Sequence, residues 1–369
     1  MLGYVSIPWD LIEKFVVDVF RGYGVPEEDS IICADVLLEA DRRGIESHGL
    51  NRLKPIYLDR VRDGIQSPVT DFKIVREGPT TAVVDGNNGM GQVIGVRSMR
   101  IAIDKAKEYG LGMVAVRNST HYGIAGYYCT MAAKNGCIGI TGTNARPSVA
   151  PTFGVEGMLG TNPLTFGIPS DERFDFVFDC ATSIVQRGEI ETLARQGLPT
   201  PPGTIVTADG SQMTDSKEIL AALLDGRAAL APLGGAGEDL AGYKGFGFAT
   251  VVEILCAALQ DGKFMKQLSG VGPDGGKSEY NLGHFFIAIN VESFIQLETF
   301  RGITGNILRD LRNSKKAPGA DRIYTAGEKE YLAWLDRKDA GVPVNESVQS
   351  ELVAVRNELG LVQYRFPFE

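Results

Sequence analysis

The sequence predicts a mixed α/β fold of the α+β kind, with a mixed or largely antiparallel sheet that carries helices. Three observations predict it. β-branched runs such as "GCIGITGTN", "PLTFGIPS" and "FDFVFDCATS" follow one another with short links, which breaks the β-α-β-α rhythm of a doubly wound parallel sheet. Helical spacing dominates both ends of the chain, before Asp71 and after Glu292. No repeat, linker or low-complexity segment separates the ends from the middle. The expected organisation is a discontinuous helical domain from 1–75 and 300–369 around a mixed-sheet domain at 76–299.

The elements follow in order. Ile12, Phe15, Val16, Val19 and Phe20 keep helical spacing behind Asp10, a side chain suited to an N-cap. Pro26 and three acids open a second helix, with acids at its positive end, that runs through Ala40 and stops near Gly44. A third helix is read from Leu50 to Gly64. From Asp71 the texture turns to strands, "TTAVVDG" and "GLGMVAVRNS", alternating with helical patterns. A helix from Gly245 to Gln260 precedes the strand "HFFIAINV". The segments "ESFIQLETFRGITGNILRDLRN" and "SVQSELVAVRNELG" are helical again, and "KKAPGADRIYTAGEKE" between them is irregular.

Composition excludes several classes of function. The 369 residues are 44% hydrophobic and 22% charged, which is ordinary for a globular protein. The net charge of −9 argues against nucleic-acid and anionic-membrane surfaces, since both need a basic patch. No apolar run approaches the roughly 20 residues of a membrane span. The segment "MLGYVSIPWDLIEKF" lacks the pattern of a secretory signal. The five cysteines contain no C-x-x-C pair and read as buried, reduced thiols of a cytoplasmic protein.

A glycine cluster, Gly86, Gly89, Gly91 and Gly95, joins a strand to a helix. Such turns hold dinucleotide pyrophosphates. Here the spacing is one residue longer than the fingerprint, and Arg117 stands where an acid is expected. The alternative is a turn whose glycines permit tight backbone packing. Of the three histidines, His284 starts a strand and reads as structural. His48 in "ESHGLNR" and His121 in "RNSTHYGIAGYY" lie on loops, where an imidazole suits proton transfer. Arg52 follows His48 by four residues, close enough to hold a substrate carboxylate through paired hydrogen bonds. Around Lys244, the glycines Gly242, Gly245 and Gly247 precede a helix and make a second candidate phosphate site. No metal-binding pattern is present.

The segments "ESHGLNR", "RNSTHYGIAGYY", "TGTNARPSVAPTFG", "LGTNPLTFGIP", "FDCATS" and "GYKGFGFATVVEIL", in this order, resemble the malate/L-lactate dehydrogenases of the second type. That family includes ureidoglycolate, sulfolactate and diketogulonate enzymes and is distinct from the Rossmann-fold dehydrogenases. The resemblance runs from about Ile12 to Gly360. It implies a non-Rossmann, NAD(P)-dependent oxidoreductase that pairs as a homodimer, with NAD as the expected cofactor and NADP as the alternative. It implies that His48, beside Ser47, exchanges the substrate proton. His121 matches a second histidine that some members assign as proton acceptor, and Arg52 a carboxylate ligand. Cofactor contacts are implied at Asn144, at Asp179, Cys180, Ala181 and Thr182, at Lys244 and Gly245, and at Gly327, Glu328 and Lys329. The glycine cluster at 86–95 is then a structural turn. The segment "VGPDGGKSEYNLGH" departs from members of the family in length.

The activity expected is hydride transfer between NAD and a small 2-hydroxy or 2-oxo acid, with a malate-like dicarboxylate first. Ureidoglycolate oxidation or cyclic-imine reduction on the same scaffold is the alternative. A catalytically silent nucleotide-binding regulator is the reading from another class, and the retention of His48 and Lys244 argues against it.

Overall fold

In the computed structural model, which describes residues 3–369, strand β1 (Val5–Ile7) leads into helices α1 (Trp9–Gly22) and α2 (Glu27–Arg42). Met1 and Leu2 of the expected helical unit lie outside the described residues. The expected apolar stripe of α1 is buried, but Pro8 and not Asp10 stands at its N-cap. Proline is suited there because its missing N–H would have no partner in the first turn.

The third helix is only partly regular. Two short 3₁₀ turns, Glu46–His48 and Leu50–Arg52, are followed by a π-wound turn, Leu53–Leu58, and by α3 (Asp59–Arg62). Pro55 lies in the π-wound turn and has no N–H to give, so a regular helical ladder cannot pass through it.

The middle of the chain builds the main sheet. Its elements are β2 (Lys73–Glu77), β3 (Thr81–Asp85), α4 (Gly91–Tyr109), β4 (Leu111–Ser119), α5 (Gly126–Lys134), β5 (Cys137–Thr143), β6 (Leu164–Ile168) and β7 (Phe176–Cys180). An inserted unit follows, with α6 (Arg187–Gln196), β8 (Ile205–Thr207), α7 (Ser216–Asp225), β9 (Ala228–Leu230) and α8 (Gly242–Ala257). Strand β10 (Leu282–Asn290) then returns to the sheet, and α9 (Leu297–Asn313), α10 (Glu328–Arg337), β11 (Val342–Val344) and α11 (Glu346–Glu358) complete the chain.

The sheet has seven strands in the order β2-β3-β4-β10-β5-β6-β7. Its β3–β4 pair is parallel, with α4 as the crossover, and its other pairings are antiparallel. The expected largely antiparallel sheet is what forms. Alternation along the central strand fixes the layers. Phe286 and Ala288 pack with Val114, Val116 and residues of α4 and α5. Phe285 faces the opposite way, against Val252 and Cys256 of α8.

The chain ends share a core. β1 pairs with β11, and Phe15 meets Tyr364 and Phe366 edge-on at 5.3 and 5.1 Å. Residues 149–249 enclose a further core around Ile190, Ile205, Ile219 and Leu230. Strands β1, β8, β9 and β11 are not legible as periodic runs, because each has three residues. Helix α8 begins at Gly242, so Lys244 lies inside its first turn and not ahead of the helix. Among the described residues no helix is long and apolar enough to cross a membrane.

The glycine cluster is packed turn. A Cβ on Gly89 would run into Thr70, and one on Gly95 into the ring of Tyr128. One on Gly91 would meet the carbonyl oxygens of Thr120 and His121 well inside contact distance. Arg117, which replaces the fingerprint acid, pairs with Asp85 at 2.8 Å.

Candidate active site

The two loop histidines come together. His48 ends the first 3₁₀ turn after α2, and its Nδ1 lies 2.9 Å from Ser47 Oγ. The turn is locked from beneath, where Asp41 Oδ2 accepts the Leu50 N–H at 2.8 Å. Gly49 has no room for a Cβ beside that carboxyl. Burial raises the Asp41 pKa to about 7. Arg52 Nε donates to the Ser47 carbonyl at 2.6 Å, and its guanidinium pairs with no acid among the described residues.

His121 follows β4. Its Nδ1 lies 2.7 Å from the Tyr57 hydroxyl and receives the Gly123 N–H at 3.3 Å. The His48 and His121 rings stack with centroids 5.7 Å apart. Both Nδ1 atoms are thus held by the protein, and neither Nε2 has a hydrogen-bond partner among the described residues. An acceptor role at His121 Nδ1 assigns the proton of the neutral ring to Nε2. Burial lowers both pKa values, that of His48 to about 4, with Arg52 adding to the shift. Both rings are neutral at physiological pH.

Beside His48 opens a cleft of about 730 Å³. Of the expected residues it brings together Ser47, His48, Asp179, Ala181, Gly327 and Lys329. Asp179 accepts the Gly126 N–H at 2.7 Å and the Thr165 hydroxyl at 2.8 Å, fixing the start of α5 at the cleft wall, and burial raises its carboxyl. Gly327, at φ +87°, turns the chain into α10 against the Asp175 carbonyl, where a Cβ would not fit.

The cleft fits a dinucleotide. Phe174, Tyr331 and Trp334 form a stacked aromatic run, with centroids 5.6 and 5.8 Å apart, suited to a flat base. Lys134, Arg173 and Lys329 line the cleft and have no acidic partner among the described residues, which suits a diphosphate. The helix starts of α5 and α10 open onto the same space.

Other expected residues lie outside the cleft wall. Arg52 and His121 adjoin His48 without lining it. Asn144 is fully buried, accepts the Gly283 N–H at 2.7 Å and closes the irregularity at the start of β10. Cys180 is half-buried, with Sγ 3.0 Å from the Ala181 carbonyl, and Thr182 Oγ1 donates to the Thr161 and Asn162 carbonyls. Glu328 is turned inward onto Arg312 and Arg322. Lys244 is exposed on α8, which covers the sheet face opposite α5, and Gly245 packs against Leu233. The 86–95 glycines do not line the cleft either. No metal-binding cluster occurs among the described residues. Tyr57, which holds His121, escaped the sequence reading. Its spacing behind Leu50 and Leu53 reads as core, and it is indeed fully buried.

Comparison with known proteins decides the family. The model of a family described as malate/L-lactate dehydrogenase matches residues 7–353. The chain belongs to that family. Malate dehydrogenase of Pyrococcus abyssi is 43% identical over 359 residues, covering 97% of this chain and 96% of that one. L-sulfolactate dehydrogenase of Methanocaldococcus jannaschii is 38% identical, covering 95% of this chain and 96% of that one. The crystal structure of malate dehydrogenase from Entamoeba histolytica matches with a TM-score of 0.94 at 44% identity, covering 97% of this chain and 98% of that one. The resemblance drawn from the motifs therefore holds over nearly the whole chain, and this protein is a dehydrogenase, a class of enzyme that implies a nicotinamide cofactor.

Proposed function

We propose that this dehydrogenase transfers a hydride reversibly between NAD and C2 of a small 2-hydroxy acid, with a malate-like substrate. The observation that carries the reading is the stacked histidine pair, whose Nε2 atoms have no hydrogen-bond partner among the described residues, with Arg52 adjoining and with His48 in the wall of the cleft. The cofactor, when bound, supplies the hydride acceptor. In oxidation His48 Nε2 takes the hydroxyl proton while Ser47 holds its Nδ1. The neutral His121 donates its Nε2–H to the C2 oxygen, held in that tautomer by Tyr57 and Gly123. Arg52 holds the C1 carboxylate. In reduction His48 returns the proton.

Arg52→Lys keeps the charge and loses the planar fork. The expected result is a fall in kcat/KM for the 2-oxo acid of about tenfold, on the scale of one charge-assisted hydrogen bond. Steady-state kinetics at saturating NADH checks it. Full activity in the lysine variant would make Arg52 a point charge only.

Within the cleft, Lys329 is free to meet the diphosphate. Lys329→Ala is expected to raise the NADH dissociation constant about tenfold, and Lys244→Ala, on the far face of the sheet, to leave it within about twofold. Fluorescence titration of NADH reads both. The reverse result would return the pyrophosphate to the glycine turn at 242–247.

NAD is favoured over NADP because Glu39, Asp175, Asp179 and Glu330 line the cleft, and carboxylates accept a ribose hydroxyl but repel a 2′-phosphate. A homodimer is supported by the apolar outer face of α8 and the loop after it, where Phe248, Val251, Ile254, Leu259 and Phe264 are exposed. A reducing, cytoplasmic setting is supported by five free cysteines. The shared core of the chain ends supports the helical unit at 1–75 and 300–369.

The experiment is a spectrophotometric scan of oxaloacetate, pyruvate, sulfopyruvate and a cyclic imine with NADH and NADPH. Oxaloacetate with NADH is expected to lead. Turnover of the imine alone would replace the reading, and turnover of none would leave a silent binder.

A further inference from the structure

Of the three histidines, His284 has so far no part in the mechanism, and it is fully buried. It stands third in β10, between β4 and β5, opposite Val116 of the one and Thr143 of the other. Its ring spans both neighbours. Nδ1 lies 2.8 Å from Thr143 Oγ1, and Nε2 lies 2.7 Å from Ser119 Oγ. The Thr143 hydroxyl donates to a backbone carbonyl, with that of Asn144 at 2.9 Å and that of Gly283 at 3.1 Å. Its oxygen therefore accepts from Nδ1–H, and Nε2 accepts the Ser119 hydroxyl proton. Burial lowers the pKa of the ring to about 3, so it stays neutral.

These bonds act where β4 is irregular. From Leu282 to His284 is two steps along β10, while from Ser119 to Val116 is three along β4. β4 thus carries one extra residue just before its end, and Asn118 there has φ +51°. A bulge of this kind re-aims the side chains beyond it and leaves the ladder locally disrupted. Ser119, Thr120 and His121 come next in the chain. Thr120 is tied to Gly89 and Gly91. His284 grips the residues on either side. It bonds Ser119, and the Tyr122 ring lies flat on its own, with centroids 4.5 Å apart and planes 8° from parallel. The His121 ring itself is held at Nδ1 by Tyr57 and Gly123.

A side chain that only fills the core needs no such partners, and a phenylalanine would occupy the same space. Two hydrogen bonds at opposite ends of one rigid ring, to two different strands, also set the spacing between the ends of β4 and β5. We infer that His284 is a positioning residue for His121. By bridging Ser119 to Thr143 and backing Tyr122, it fixes the place from which the His121 imidazole reaches the C2 oxygen of the substrate. His284 does not line the cleft, so it acts through His121 and not on the reacting atoms. The inference rests on the reading of His121 as the donor to that oxygen.

The test is a double-mutant cycle of His284→Phe with His121→Phe, read as kcat for the 2-oxo acid that leads in the substrate scan. Phenylalanine at 284 keeps a flat ring for Tyr122 and loses both hydrogen bonds. With His121 present, His284→Phe is expected to lower kcat by roughly 10- to 100-fold, the scale of a catalytic group displaced by about 1 Å. The NADH dissociation constant is expected to stay within about twofold. In the His121→Phe background the same change is expected to alter kcat by less than about twofold, because its effect passes through the missing ring. If His284→Phe fails to fold, Ser119→Ala removes one of the two bonds and leaves the histidine in place. It is expected to lower kcat about two- to tenfold, the scale of one hydrogen bond, and again only where His121 is present. A wild-type kcat in His284→Phe, or equal losses in both backgrounds, overturns the inference and leaves the dehydrogenase reading in place. A near-normal kcat in His121→Phe alone overturns the role read for His121, and the inference with it.

Discussion

His48→Asn lowers the turnover of oxaloacetate reduction by about a hundredfold or more, the scale on which general acid–base catalysis is lost. Asparagine keeps a polar group near the His48 position but carries no titratable proton. Dissociation of NADH is expected to change little, because most of the cleft lining lies away from His48. The pH dependence follows from the same residue. Burial and Arg52 bring its pKa to about 4 in the free enzyme. Oxidation needs the neutral ring, so kcat/KM for malate should be flat from about pH 5 upward and fall below it. Reduction needs the protonated ring, so kcat/KM for oxaloacetate should fall about tenfold per pH unit through the neutral range. Near-normal turnover in His48→Asn, with the same pH slope, would pass the proton to His121.

Gly91→Ala is expected to cost about 1–3 kcal/mol of stability, as overpacking at a close contact does, and to lower turnover in the protein that remains folded. The cause is contact and not dihedral strain, since Gly91 lies outside the positive-φ glycines. A methyl group there would push on the carbonyls of Thr120 and His121, and so on the second histidine. It would also disturb the bond from the Gly91 N–H to Thr120 Oγ1, 2.9 Å long. NADH affinity should be unchanged, because this glycine does not line the cleft. Thermal unfolding and NADH titration on one sample check both parts. Normal stability with lost NADH binding would make the 86–95 turn the pyrophosphate cradle after all.

Strand alternation made the layers of the sheet readable in advance, and the long strands β4, β5 and β10 lie where their β-branched runs place them. The crossover α4 was equally visible. Strand order was not. β10 inserts between β4 and β5 from more than a hundred residues away, and no local pattern encodes that pairing. His48 and His121 were singled out as loop histidines beside glycines. That they stack is a tertiary fact, set by the turn at Gly49 and by the end of β4. Tyr57 was hidden because its spacing behind Leu50 and Leu53 is that of a core side chain, and only the tertiary meeting of its hydroxyl with His121 gives it a further role. Glycines and a helix start surround Lys244, which is the local pattern of a phosphate ligand. The sequence carries no sign that α8 covers the other side of the sheet.

The most direct test of the central claim follows the hydride itself. NADH carrying deuterium at both C4 positions is mixed with the enzyme and oxaloacetate, and the product is examined by mass spectrometry. The account predicts malate with one deuterium at C2 and an unlabelled hydroxyl proton drawn from solvent. Malate without deuterium at C2, or cofactor that stays reduced in the presence of every 2-oxo acid, would contradict it.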